Sequence, residues 1–136
     1  MSNERPKFEV IFYWDERKRK PVEEFLSTLD VKTQAGFVWS IDELEKRGNQ
    51  VGEPLSKPVE GHKGLFELRE EVRTNIFRII YVYYKGGKII LLHGFQKKGQ
   101  KTPKGELEIA KQRQQRVPEF MREWEEEEAK KSKRNK

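Results

Sequence analysis

Two arginines stand where a solvating charge is an odd choice. Arg78 lies inside the apolar run "IFRIIYVYY" (Ile76–Tyr84), and Arg69 follows Leu68 in "LFELRE" (Leu65–Glu70). Alternation along an extended chain puts Leu65, Glu67 and Arg69 on one face of the second run, with Phe66 and Leu68 on the other. If the two runs are neighbouring strands, the guanidinium groups converge, and their planar forks suit one shared phosphate. The plainer alternative is a buried ion pair between Arg78 and Glu67 or Glu70, which does not exclude a role in anion binding. The surrounding charge is one-sided. From Val72 to Lys104 the chain carries Arg73, Arg78, Lys85, Lys88, Lys97, Lys98, Lys101 and Lys104, with no Asp or Glu. A solvated surface usually mixes its signs. This segment would attract a phosphate backbone and make binding salt-dependent.

Other chemistry is sparse. His93 sits near the end of a strand with the parity of Leu91 and Phe95, which favours a core histidine over a catalyst. His62 lies in a loop bounded by Pro and Gly. There is no phosphate-binding glycine loop, no HExxH and no nucleophile elbow. With no cysteine and two distant histidines, neither a metal site nor a cofactor is expected. The 136 residues suit one domain, and the net charge of +6 points to a polyanionic partner. No apolar leader and no run near the ~20 residues of a membrane span occur, so a soluble cytoplasmic protein without a membrane partner is expected.

The elements that must position these residues follow from pattern. "KFEVIFYW" (Lys7–Trp14) reads as a strand. Pro21 opens a first helix. Asp30 caps a second, in which Phe37, Val38, Ile41 and Leu44 recur at helical spacing until Gly48 stops it. Gly52–Gly64 reads as loop. Three strands follow, the last two joined at Lys85-Gly86-Gly87. Thr102-Pro103 starts a last helix running to about Arg116. Pro118 is expected to break or kink it, leaving a charged helical extension (residues 118–136, partly frayed) after a domain of residues 1–117. Glu126 with Lys130 and Glu127 with Lys131 form i,i+4 pairs in that extension. The fold class is α+β: a twisted antiparallel sheet, made of the N-terminal strand and a three-strand meander, with two N-terminal helices and a C-terminal helix.

"GLFELRE" followed by "FRIIYVYYKGGKIILLHGFQKKGQKTPKGELEIAKQR" resembles the HigB branch of the RelE/ParE toxin superfamily. That branch carries a G-L-[YFW]-E-L-R strand, an [FY]-R-[IV]-x-Y strand, and L-L-H-G-F-x-K-K-T-x-K-T-P leading into a helix. The resemblance covers Gly64–Arg113. It implies a small RelE-like fold with helices packed to one side of the sheet. It implies a type II toxin held by a helix-turn-helix, HigA-like antitoxin. It also implies metal-independent cleavage of mRNA on the ribosome by attack of a ribose 2′-hydroxyl on the adjacent phosphate. Arg78 then matches the arginine of the [FY]-R strand as main phosphate stabiliser, and Arg69 the E-L-R arginine. Lys97 and Lys98 match the K-K pair, to stabilise phosphate or protonate the leaving oxygen. Glu67 becomes a general base or a holder of arginine, and His93 matches the L-L-H-G-F histidine. Arg73, Lys85, Lys101 and Lys104 are expected to contact mRNA or ribosomal RNA. Gly99 replaces the usual Thr after the K-K pair. Two rivals share the fold or the charge: a gyrase poison of ParE type, and a non-catalytic RNA-binding relative.

Overall fold

The computed structural model describes residues 7–52, 55–97 and 103–134. The chain runs β1 (Glu9–Phe12), α1 (Pro21–Ser27), α2 (Val31–Arg47), a 3-10 turn (Gly48–Val51), β2 (Ser56–Pro58), β3 (Phe66–Val72), β4 (Asn75–Tyr84), β5 (Lys88–Lys97) and α3 (Lys104–Arg134). The five strands form one sheet in the order β1-β5-β4-β3-β2. β2 to β5 are antiparallel neighbours, while β1 joins β5 in parallel, so the sheet is mixed and not antiparallel throughout as expected. The α+β class is as expected. β2 is an addition, lying where a loop is expected, since three residues ending in Pro58 carry no readable period.

The helices flank both faces, rather than one. Strand alternation separates two apolar sets. Leu68, Ile79, Tyr81, Ile89 and Leu91 pack against Val22 and Leu26 of α1 and Phe37 and Leu44 of α2. Leu65, Ile80, Val82, Ile90, Leu92 and Phe95 pack against Ala110, Val117, Phe120 and Met121 of α3. The α2 cap is as read: Asp30 Oδ1 accepts from the Thr33 amide at 2.7 Å. Val38 is not part of its buried stripe and is 58% exposed. The inward face is Thr33, Phe37, Ser40 and Leu44, one turn-step away.

Gly94 is required by space. A Cβ there would run into the ring of Phe25 of α1. Gly94→Ala should therefore destabilise the fold by about 2 kcal/mol through forced displacement of α1, measured as a drop in chemical-denaturation midpoint with unchanged slope.

Pro118 neither ends nor divides the last helix. α3 is continuous from Lys104 to Arg134. Proline removes one backbone donor and costs about 3 kcal/mol in a helix interior. Beyond it, Phe120 is fully buried against Tyr13 and Trp14, with ring centroids 5.1 and 5.0 Å away. Glu123 receives the Trp14 indole at 2.9 Å and both terminal contacts of Arg116 Nη2, at 3.2 and 2.9 Å. These contacts offset the proline. Further on, the salt links are i,i+3 rather than i,i+4: Lys130 with Glu127 at 3.9 Å and Lys131 with Glu128 at 3.5 Å. Among the described residues no helix is long and apolar enough to cross a membrane.

Candidate phosphate-binding site on the sheet

Register brings the charged side chains together. Arg69 stands opposite Arg78 across β3 and β4. Arg78 stands opposite Phe95, and Ile76 opposite Lys97, across β4 and β5. Lys57 stands opposite Glu67 across β2 and β3. Residues directly opposite share a face, as do alternate residues along a strand. All five charged residues therefore lie on the α3 face, where the rows next to the apolar core change to charge. Glu67, Arg78 and Lys97 form a diagonal across three strands, with Arg69 beside Arg78 and Lys57 beside Glu67.

The diagonal is buried: Glu67, Arg78 and Lys97 are 3%, 2% and 4% exposed. Arg78 Nη1 donates to Glu67 Oε1, and Lys57 Nζ lies 3.6 Å from the same oxygen. Arg69 Nη2 donates to Glu71 Oε1 at 3.0 Å and stays partly exposed. Glu70, the other suggested partner of Arg78, points to the opposite face. It accepts from the Ser40 hydroxyl of α2 at 3.3 Å and sits against Gly36, where a Cβ would meet its carboxylate at 2.5 Å.

Four cations (Lys57, Arg69, Arg78, Lys97) thus meet two carboxylates (Glu67, Glu71), and the cluster retains positive charge. Burial, against the attraction of Glu67, lowers the Arg78 guanidinium from its ordinary value. Burial first, then Arg78, push the Lys97 ammonium below the usual lysine range, with Glu67 opposing them. Arg78 Nε and Glu67 Oε2 are buried and make no hydrogen bond among the described residues. Buried polar atoms are rarely left so. An anion on the sheet would satisfy the arginine.

His93 is engaged from α3. The β4–β5 register shifts by one residue between Ile80 and Tyr81, so His93 stands opposite Ile80 while Leu91 stands opposite Tyr81. The bulge at Leu92 moves His93 off the face of Leu91 and onto that of Phe95, correcting the parity read from the sequence. Arg113 Nη1 donates to His93 Nδ1 at 3.0 Å and to the Leu92 carbonyl at 2.8 Å. Nδ1 is then an acceptor, which leaves the proton on Nε2, 3.0 Å from Glu106 Oε2. Burial lowers the His93 pKa, with Glu106 opposing and Arg113 assisting. The ring ties α3 to the bulge. Arg113, which anchors it, is a positioning residue that no sequence motif pointed to.

The other predicted basic residues that are described lie on separate elements. Arg73 is exposed in the β3–β4 turn with φ 57°. Lys104 is exposed at the first position of α3. Lys85 lies beyond the other end of β4, seven residues from Arg78 and so roughly 24 Å away along the strand. There it covers the Tyr84 ring at 5.8 Å. Lys98 and Lys101 lie outside the described residues, as does Thr102. Lys57 was missed, in the segment read as loop. No group of three or more His, Cys, Asp or Glu is placed to hold a metal among the described residues. A cleft of about 560 Å³ exists elsewhere, between β1 and the far half of α3, lined by Trp14 and Trp124. It does not include the cluster, which lies on the sheet face.

Residues 24–115, more than half of the chain, match the family described as phage-derived Gp49-like protein (DUF891). The chain is a Gp49-like protein. No curated protein matches it. The Gp49-like segment contains Lys57, Glu67, Arg69, Arg78, Lys97 and the His93–Arg113 tie. β1 and the half of α3 that carries Phe120 lie outside it.

Proposed function

We propose that this Gp49-like protein is the toxin of a type II toxin–antitoxin pair, of HigB type, and cuts mRNA on the ribosome. The carrying observation is the buried Glu67–Arg78–Lys97 diagonal flanked by Arg69, on a chain whose family is of the RelE/HigB toxin type. Cleavage by the 2′-hydroxyl needs cationic donors around a phosphorane-like transition state and a proton for the leaving oxygen. Arg78 serves the first need, with Arg69 beside it. Lys97 serves the second. The 2′-oxygen attacks phosphorus and passes its proton to a solvent water, the bond to the 5′-oxygen breaks, and that oxygen gains the ammonium proton, which Lys97 regains from solvent. The products are a 2′,3′-cyclic phosphate and a 5′-hydroxyl. Glu67 acts as a positioning residue rather than a base: Oε1 holds Arg78 and Lys57, and Oε2 is buried. The partners are translated mRNA and ribosomal RNA, reached through Arg73 and Lys104, and a helix-turn-helix antitoxin. The setting is the cytoplasm, where these partners are found.

Purified protein should shorten mRNA in a translating extract and leave it intact when ribosomes are omitted, with ends mapped by primer extension. Intact mRNA in the translating extract would overturn the assignment; inhibition of supercoiling would then support the gyrase alternative.

The acid role of Lys97 sets a pH dependence. The ammonium must be protonated to donate, so activity is present below its pKa and is lost as pH rises through it. Since that pKa is lowered, the fall should come at lower pH than the ~10.4 of an ordinary lysine. Lys97→Arg, which keeps its charge, should show a slower but flatter profile in single-turnover cleavage. An unchanged profile in Lys97→Arg would remove Lys97 as the acid.

A further inference from the structure

Lys57 is the one cation of the cluster supplied from β2, a three-residue edge strand. Its position is nevertheless well determined. The neighbouring Ser56 points to the opposite face, where its hydroxyl is 2.6 Å from that of Tyr81, in the buried layer beneath α1 and α2. The Arg69 amide donates to the Leu55 carbonyl at 2.9 Å, extending the pairing back past Ser56. Lys57 is therefore held over Glu67 by backbone on both sides of it, and not by a free loop.

Its exposure separates it from the diagonal. The Lys57 side chain is 42% exposed, while Arg78 and Glu67 are each 3%. The Glu67 carboxylate sits between Lys57 and Arg78, binding both through one oxygen. Arg78 and Lys97 lie on the β4–β5 side of that carboxylate, where a phosphate held by both would sit. Lys57 faces the β2–β3 side. From β2 to β5 the cations span three strand spacings, about 14 Å at ~4.8 Å per step. That is longer than one phosphate group and suits a stretch of polymer backbone.

We propose that Lys57 is a further RNA-binding residue, holding the backbone phosphate next to the scissile one on the β2 side. The assignment rests on the site being a ribonuclease site. A contact to a non-reacting phosphate contributes to binding of substrate and transition state alike, so its loss appears in KM rather than in kcat. A single lost phosphate contact also lowers the salt dependence of single-strand binding, by about 0.7 in the slope of log K against log salt.

Two measurements on the full chain test this. In ribosome-programmed cleavage, Lys57→Met should raise KM about fivefold, with kcat within about twofold of the native protein. In titrations with a short single-stranded RNA carrying 2′-O-methyl groups, which cannot be cleaved, the salt slope should drop by about 0.7. Lys57→Arg should restore both. Native KM and native slope in Lys57→Met would overturn the proposal. A loss confined to kcat would also overturn it, by placing Lys57 on the reacting phosphate. If the native protein cuts no mRNA, the ribonuclease reading fails, while the slope with uncleavable RNA still decides whether Lys57 holds a phosphate.

Discussion

Arg78→Ala should lower kcat for mRNA cleavage by about 10²–10³ and destabilise the protein by about 3 kcal/mol. The first effect follows from removing the one guanidinium on the buried diagonal, where the low local dielectric strengthens its action on developing phosphate charge. The second follows from what is left behind. Glu67 is buried and its Oε1 takes the Arg78 bond. Without that arginine the carboxylate still faces Lys57 at 3.6 Å. Truncating one partner of a buried pair typically costs about 3–5 kcal/mol, and the remaining lysine places this case near the low end. A simple loss of activity in Arg78→Ala is thus ambiguous. The double variant Glu67→Leu, Arg78→Met separates the two effects. It removes both charges together, and replacing a buried pair by apolar groups is often neutral or stabilising. Its melting temperature should recover to near native while cleavage stays lost. Arg78→Lys should fall between, keeping charge but losing the fork. Native kcat in Arg78→Ala, measured in single turnover, would sink the assignment of Arg78 to the reacting phosphate.

The strand arginines were legible because a charge inside an apolar strand leaves few physical solutions; parity put Glu67 and Arg69 on one face of β3, and the register adds Arg78 to it. Of the solutions weighed from the sequence, the ion pair of Arg78 with Glu67 is present, and Arg69 stands opposite Arg78 on the same face. The one-sided run from Val72 to Lys104 was less informative than it looked. Sequence proximity along two long strands spreads Lys85 and Lys88 to the end of the sheet away from Lys97. Lys88 pairs with Glu9 there, at 2.7 Å. Lys57 was invisible because a three-residue strand is fixed by its partners and not by its own period. His93 was matched with Leu91 as well as Phe95 because parity counting assumes an unbroken ladder; the bulge at Leu92 adds one residue and leaves it on the face of Phe95 alone. Val38 was misplaced because the buried stripe of α2 is centred on Phe37, in step with Thr33, Ser40 and Leu44, and Val38 lies about 100° round the helix from Phe37, on the solvent side.

Phe120→Ala should destabilise the protein by about 3–5 kcal/mol, lowering the melting temperature by roughly 10–15 °C. The ring is fully buried, tilted against Tyr13 and edge-on to Trp14, in the core that also holds Ile80 and Leu92. Removal leaves a cavity bounded by β1, β5 and α3, and rigid aromatic neighbours collapse into such space poorly. The effect would reach the site through a physical route. α3 holds the bulge on β5 through Arg113 and His93, and β5 carries Lys97. Pro118→Ala is the natural control, since it restores a backbone donor at an exposed position and should leave stability unchanged or higher. Ending the chain after Val117 would remove Phe120, Met121 and Glu123 together, and with them the acceptor of the Trp14 indole. That truncated chain should not fold cooperatively. Native melting of either Phe120→Ala or the truncated chain would make the second half of α3 an appendage. A large loss in both would mean that the helix closes the core from outside the family match, and that proline was accepted there because the aromatic contacts beyond it outweigh one missing hydrogen bond.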